Sequence, residues 1–202
     1  GSADVARTSF MKRLSSSLDL GGEEGIDKDL ILDEKVYDKQ LLQRNNYTIE
    51  VVHTPGHLSN HICLSVKEKK ALFSGDHVMG WATTLISPPD GDLGSFMRSL
   101  EKLSMRDEQI YYPGHGKPLR DPRKMVLAQI AHRRDREKQI LSSIAKIPRT
   151  PAEIVDNVYV ELNPMLKPAA VRNVLAHLID LYEQGKITVD KFSINAKFSK
   201  VN

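Results

Sequence analysis

Three stretches decide how this chain reads: Val51-Val52-His53-Thr54-Pro55-Gly56-His57, Leu72-Phe73-Ser74-Gly75-Asp76 and Ile110-Tyr111-Tyr112-Pro113-Gly114-His115-Gly116. Each is a short run of strand-forming residues, then glycine or Pro-Gly, then a side chain able to bind a metal. Glycine lets the backbone turn sharply and approach a site closely. If the three strands end on one edge of one sheet, two imidazoles and a carboxylate meet there. That set suits Zn²⁺, and a carboxylate can bridge two ions about 3.5–4 Å apart. Taken singly, each is a common exposed loop residue; the three together, each after a strand, are specific.

Outward from these stretches the pattern alternates between strands and helices. Thr48–Val52, His61–Val66, Ala71–Ser74 and Gln109–Tyr112 read as strands, with Glu68-Lys69-Lys70 as a hairpin turn. After Asp92, the spacing of Phe96, Leu100 and Leu103 predicts a helix. Beyond Gly116 the chain turns helical. Arg123–Ile147 reads as one long helix with a charged middle, ended by Pro148. Thr150-Pro151-Ala152-Glu153 carries a capping box, and Ile154, Val155, Val158 and Leu162 give that helix its apolar face. A third helix runs from about Pro168 to Gly185, and Ile187–Val189 with Phe192–Ile194 fits a small hairpin. Helix, turn, helix and hairpin make the layout of a winged helix. Residues 3–30, rich in Ser, Gly and Asp, read as irregular.

The 202 residues, 40% hydrophobic and 27% charged, are ordinary for a globular chain and exclude wholesale disorder. No apolar run is long enough for a membrane span, so no membrane partner is expected. The single cysteine, Cys63, cannot form an internal disulfide. That favours a reducing, cytoplasmic-type compartment, with Cys63 a small core residue. Charge splits along the chain. Residues 1–116 hold 13 Lys+Arg against 17 Asp+Glu, a balance of −4, and residues 117–202 hold 16 against 9, a balance of +7. The units predicted are 1–120, a linking helix over 121–147, and 148–202.

With these residues in hand, the chain resembles the metallo-β-lactamase fold superfamily. Within it, the likeness is to the lactamase-like subfamily that ends in a winged helix and includes an endoribonuclease. The matching residues run Val52–His61, Phe73–Gly80 and Ile110–Gly116, with the linking helix matched by Ala131-His132-Arg133, Arg136-Glu137 and Gln139-Ile140-Leu141. The resemblance implies an α/β (α+β) chain: part of an αββα sandwich followed by a small winged helix domain. It implies a metal-dependent hydrolase in which metal-bound hydroxide attacks an ester, thioester, lactam or phosphodiester. His57 would serve the first zinc, Asp76 would bridge and His115 would serve the second, with His61 supporting them from behind.

One signature of that family is not found. Its His-x-His-x-Asp-His run would precede these motifs, but the first histidine here is His53. Three ligands give each ion two donors, whereas tight zinc sites use three or four. The expectation is therefore a shortened and inactive form, with partial or no zinc in place of the two ions of the intact enzyme. Loss of the leading strands would bare a sheet face, to be covered by a homodimer or by residues 3–45 folding over it. His53 and His77 read as structural or solvent-facing. Ser59 has no base to activate it and is not a nucleophile candidate.

The substrate expected is a small ester-like molecule or single-stranded RNA. For RNA, Lys124, Arg133, Arg134, Arg136, Lys138, Arg172, Lys186, Lys191 and Lys197 could follow phosphates. The candidate recognition helix carries only Arg172 against Asp180 and Glu183, a poor surface for reading duplex DNA. The rival reading is a non-catalytic winged helix module, binding nucleic acid or serving as a scaffold.

Overall fold

Alternating apolar residues build one five-stranded sheet, ordered β1 (Leu41–Arg44), β2 (Tyr47–His53), β3 (Ile62–Val66), β4 (Ala71–Gly75) and β5 (Ile110–Pro113). The computed structural model describes residues 34–80, 83–191, 193 and 195–201. β1 to β4 pair antiparallel and β4 pairs with β5 in parallel. A parallel pair needs a crossover, and α1 (Leu93–Ser104) lies in it. Consequently β2, β4 and β5 all run the same way, and their C-terminal ends share one edge.

α1 starts where Asp92 caps it, the carboxylate accepting from the Ser95 N–H at 2.7 Å. Its apolar stripe of Phe96, Leu100 and Leu103 packs on one sheet face against Val52, Cys63, Leu72 and Tyr111. Burying each large side chain contributes about 1.5–3 kcal/mol, an upper figure because unfolded chains also bury surface. On the opposite face the cross-strand partners Phe73 and Tyr112 stack at 5.4 Å and stay 50% and 38% exposed. Within the stretch expected to fold over that face, Leu41–Arg44 extends the sheet beside β2. Residues 3–30, expected to be irregular, lie outside the described residues.

α2 (Pro122–Ser143) leaves the sheet unit, capped by Asp121 with Pro122 in its first turn. It ends at the Ile144 cap, short of the Ile147 expected from Pro148, because the Ile144 N–H already closes the final turn onto Ile140. Its first half buries Val126 and Ile130 in the sheet core, and its second half buries Ile140 in another core. That second core holds α3 (Pro151–Val158), α4 (Lys167–Glu183), β6 (Ile187–Val189) and β7 (Phe198–Lys200). The Thr150–Glu153 capping box is formed as the sequence reads. The hairpin is corrected: β6 pairs with Phe198–Lys200, because fully buried Phe198 supplies the apolar anchor and its backbone also pairs with Arg149. Phe192 and Ile194 lie outside the described residues.

Candidate functional site

At the shared edge, β2 ends into Thr54-Pro55-Gly56-His57, β4 into Asp76 and β5 into Gly114-His115. α1 anchors the first of these loops. Lys102 donates to the His53 carbonyl at 2.8 Å, Ser99 to the Pro55 carbonyl at 2.9 Å, and the Asp92 N–H to the Gly56 carbonyl at 2.8 Å. Gly56, at φ +142°, brings the backbone so close to α1 that a β-carbon would lie 2.3 Å from Phe96 Cα. The other two ends are tied to each other, the Gly114 N–H donating to the Gly75 carbonyl at 2.9 Å.

The three side chains meet at Asp76. Its Oδ2 lies 4.0 Å from His57 Nε2 and 3.7 Å from His115 Nε2. Both separations exceed a hydrogen bond. His57 Nδ1 lies 2.8 Å from the Leu85 carbonyl, which can only accept, so that nitrogen carries the proton. Nε2 of the same ring faces Asp76. His115 is the open side, with 68% of its side chain exposed.

This chemistry suits a metal ion, but the set is incomplete. Among the described residues no group of three or more His, Cys, Asp or Glu side chains is close enough to hold one. An ion here would have two donors at a time, so the described residues do not by themselves fit a resident metal.

His61 stands behind this edge. Its Nδ1 is 2.9 Å from the Thr54 hydroxyl, and its ring is 6.4 Å from that of His57. Burial, with the neighbouring His57, pushes its pKa down to about 4. His53 is tied to its own loop, with its N–H donating to Asp38 and Nε2 3.1 Å from the Ser59 carbonyl. His77 is not solvent-facing: it is fully buried, 4.3 Å from the Phe96 ring, and burial holds its pKa well below the usual value. Cys63 is a buried core thiol, pushed up to about 12 by burial.

Sequence reasoning missed Thr84, Leu85 and the role of Arg133. Thr84 is buried and its hydroxyl donates to the Asp76 carbonyl, while its neighbour Leu85 orients His57. Arg133, counted above among cations that could follow phosphates, is only 2% exposed. Its signal was present: Val126, Ile130 and Arg133 share the apolar face of α2 at spacings of four and three.

Several other cations of the basic half are already engaged. Arg134 pairs with Glu101, Lys138 with Asp135 and Lys186 with Glu137, while Arg136 lies 3.9 Å over the Tyr159 ring. No helix of the described residues is long and apolar enough to cross a membrane.

Comparison with known proteins bears on the family and the fold. Residues 24–115 match the family model for the metallo-beta-lactamase superfamily, and residues 150–193 match that for the beta-lactamase associated winged helix domain. The chain is 38% identical over 146 residues to a beta-lactamase-like protein 2 homolog of Drosophila melanogaster, covering 71% of this chain and 48% of that protein. It is 32% identical over 123 residues to an atrochrysone carboxyl ACP thioesterase of Aspergillus fumigatus, covering 61% of this chain and 38% of the relative. The chain thus spans about half the length, or less, of these curated relatives. Among solved structures, a metallo-beta-lactamase family protein from Thermus thermophilus superposes with a TM-score of 0.72 at 23% identity, covering 82% of this chain and 54% of that one. That last likeness speaks to the fold alone. On the matched families and the shared edge of histidines and aspartate, the chain belongs to the metallo-β-lactamase superfamily and carries its associated winged helix domain at the C-terminal end.

Proposed function

We propose that this chain is part of a hydrolase that cleaves an activated acyl bond, a thioester or ester, with His57, Asp76 and His115 lining the reacting edge. The observation that carries this reading is the placement of Asp76 Oδ2 within 4.0 Å of both imidazole Nε2 atoms, at the common end of three strands. Zinc belongs to the reading only with further donors, since His57, Asp76 and His115 give an ion two at a time. The chain's own contribution is orientation: the Leu85 carbonyl sets His57, and Thr84 holds the backbone of Asp76.

Two facts favour an acyl substrate over single-stranded RNA. The relatives matched over most of this chain include proteins named as acyl carrier protein thioesterases. Much of the basic helix is also spent on its own carboxylates and on Tyr159, leaving less free charge for phosphates.

The test uses the protein expressed from its whole reading frame, beside the 202-residue chain. Each is supplied with zinc and offered acyl-pantetheine thioesters, aryl esters and single-stranded RNA. The expected result is thioester or ester cleavage by the former, reduced by Asp76→Ala beyond the roughly 10–100-fold that outer partners of a metal site carry. The 202-residue chain is expected to be nearly inactive. RNA cleavage without acyl cleavage, or an Asp76→Ala variant of full activity, would overturn the reading.

A further inference from the structure

Arg133 is one of the largest fully buried side chains and holds its charge without a carboxylate: among the described residues none lies within ion-pair distance. Burial pushes its pKa down to about 10, which still leaves it cationic at neutral pH. A lone buried guanidinium is costly, so its contacts should show what it serves. One terminal nitrogen, Nη2, donates to the Thr84 carbonyl. The other, Nη1, donates to Asn173 Oδ1 at 2.8 Å. Asn173 lies on α4, and its Nδ2 reaches the Tyr159 hydroxyl at 3.4 Å. The planar group also sits 5.3 Å over the Phe96 ring of α1. A single side chain thus touches the linking helix, the winged helix, α1 and the loop after β4.

The loop it holds is the one that orients the candidate site. Thr84 donates its hydroxyl to the Asp76 carbonyl, and the next residue, Leu85, accepts from His57 Nδ1 at 2.8 Å. One turn earlier on the same face of α2, buried Gln129 donates to the Met79 carbonyl at 3.0 Å. Two side chains four residues apart therefore hold two carbonyls, of Met79 and Thr84, between Asp76 and Leu85. Rows i and i+4 of a helix lie over one another, which is why both reach the same loop.

We propose that Arg133 is a positioning residue, coupling the winged helix to the reacting edge by fixing the Thr84–Leu85 backbone and so the tautomer and ring direction of His57. The proposal deepens the reading above and rests on it, since the direction of His57 matters for catalysis only if that edge reacts. It gives the C-terminal domain a mechanical role. Asn173 holds the guanidinium, the guanidinium holds Thr84, and the carbonyl of Leu85 leaves His57 Nε2 free to face Asp76. Lysine cannot replace it, because one ammonium does not reproduce the planar fork that spans Thr84 and Asn173.

The test reads the ring itself, in the metal-free 202-residue chain, by long-range nitrogen–proton correlation of the histidine side chains. Wild type is expected to show His57 as the Nδ1–H form. In Arg133→Met, which fills similar volume without charge, that form should fall below about half as the Leu85 carbonyl is released. Arg133→Lys should fail to restore it. The amide signals of β2 and β3, away from residues 76–85, should keep their wild-type positions and so report an intact fold. Should Arg133→Met not fold, Asn173→Ala removes the tether, together with the contact to Tyr159, and should shift His57 in the same direction. A folded Arg133→Met, or in its absence Asn173→Ala, with an unchanged His57 signal would overturn the proposal. Because no metal or substrate is used, a failure here is distinct from a failure of the acyl-hydrolase reading, which the turnover panel decides.

Discussion

Gly56→Ala is the sharpest structural perturbation this site offers. A β-carbon at Gly56 would lie 2.3 Å from Phe96 Cα and 2.5 Å from both its N and Cβ, while ordinary contact begins at 3.4 Å. The atoms struck belong to the first turns of α1, so no flexible side-chain end can swing away. The loop and helix must part by about 1.1 Å, the difference between those two distances. That shift would stretch the 2.8 Å hydrogen bond from the Asp92 N–H to the Gly56 carbonyl beyond useful range. Three costs follow: a φ of +142° that alanine rarely adopts, about 1–3 kcal/mol; overpacking, about 1–3 kcal/mol; and a lost hydrogen bond, about 0.5–1.5 kcal/mol. Together they come to about 2.5–7.5 kcal/mol, a large share of the 5–15 kcal/mol typical of a domain. Gly185→Ala is the control, since Gly185 has φ +70° but nothing within 4 Å of the added carbon. Urea unfolding followed by circular dichroism should place Gly56→Ala at least about 1.5 kcal/mol below Gly185→Ala, the packing and hydrogen-bond share of the total. Equal costs for the two variants would refute the close approach of α1 to the loop that carries His57.

Other outcomes follow from neighbouring contacts. A methyl group at Gly114 would meet Asp76 Oδ1 at 2.5 Å, the movable end of a side chain; Gly114→Ala should therefore melt near wild type yet shift the Asp76 carboxyl carbon resonance. His177 is buried with neither ring nitrogen hydrogen-bonded among the described residues, and burial holds its pKa well below the usual value. Its native form resists the proton that the unfolded chain accepts, so it costs stability as pH falls below about 6.5. His177→Leu should raise the melting temperature by a margin that widens from pH 8 to pH 5, and a constant margin would contradict this. Asp180 behaves oppositely: burial, then Asp92 and Glu137, push its pKa up to about 6. Here the native state holds the proton more tightly, so stability falls as pH rises from about 4 to 6. Asp180→Asn should stabilise the chain at pH 7–8 in thermal melts, with the gain vanishing below about pH 4.

What was legible in the sequence was local. Asp92 followed by Phe96, Leu100 and Leu103, and Thr150 followed by Pro151 and Glu153, state helix starts and faces within a few residues, and the structure forms both. The shared edge was legible because β2, β4 and β5 each carry their own stop signal next to their chemistry. Less legible were features set by distant contacts. β7 forms at Phe198–Lys200 through pairing with β6 and burial of Phe198, neither visible in a short window. The Leu85 carbonyl acts on His57 from 28 positions away through its backbone, where side-chain identity carries no message. Arg133 lies between these cases. Its place on the apolar face of α2 was readable, but its charged neighbours drew the reading toward a solvated surface.

The central claim is that His57, Asp76 and His115 meet at a common strand edge, with Asp76 between the two imidazoles. The side-chain nitrogen resonances of all the histidines in the metal-free 202-residue chain test it most directly. The account predicts that Asp76→Ala moves the Nε2 signals of both His57 and His115 while His53 stays unmoved. A shift confined to one of the pair, or no shift at all, would contradict it.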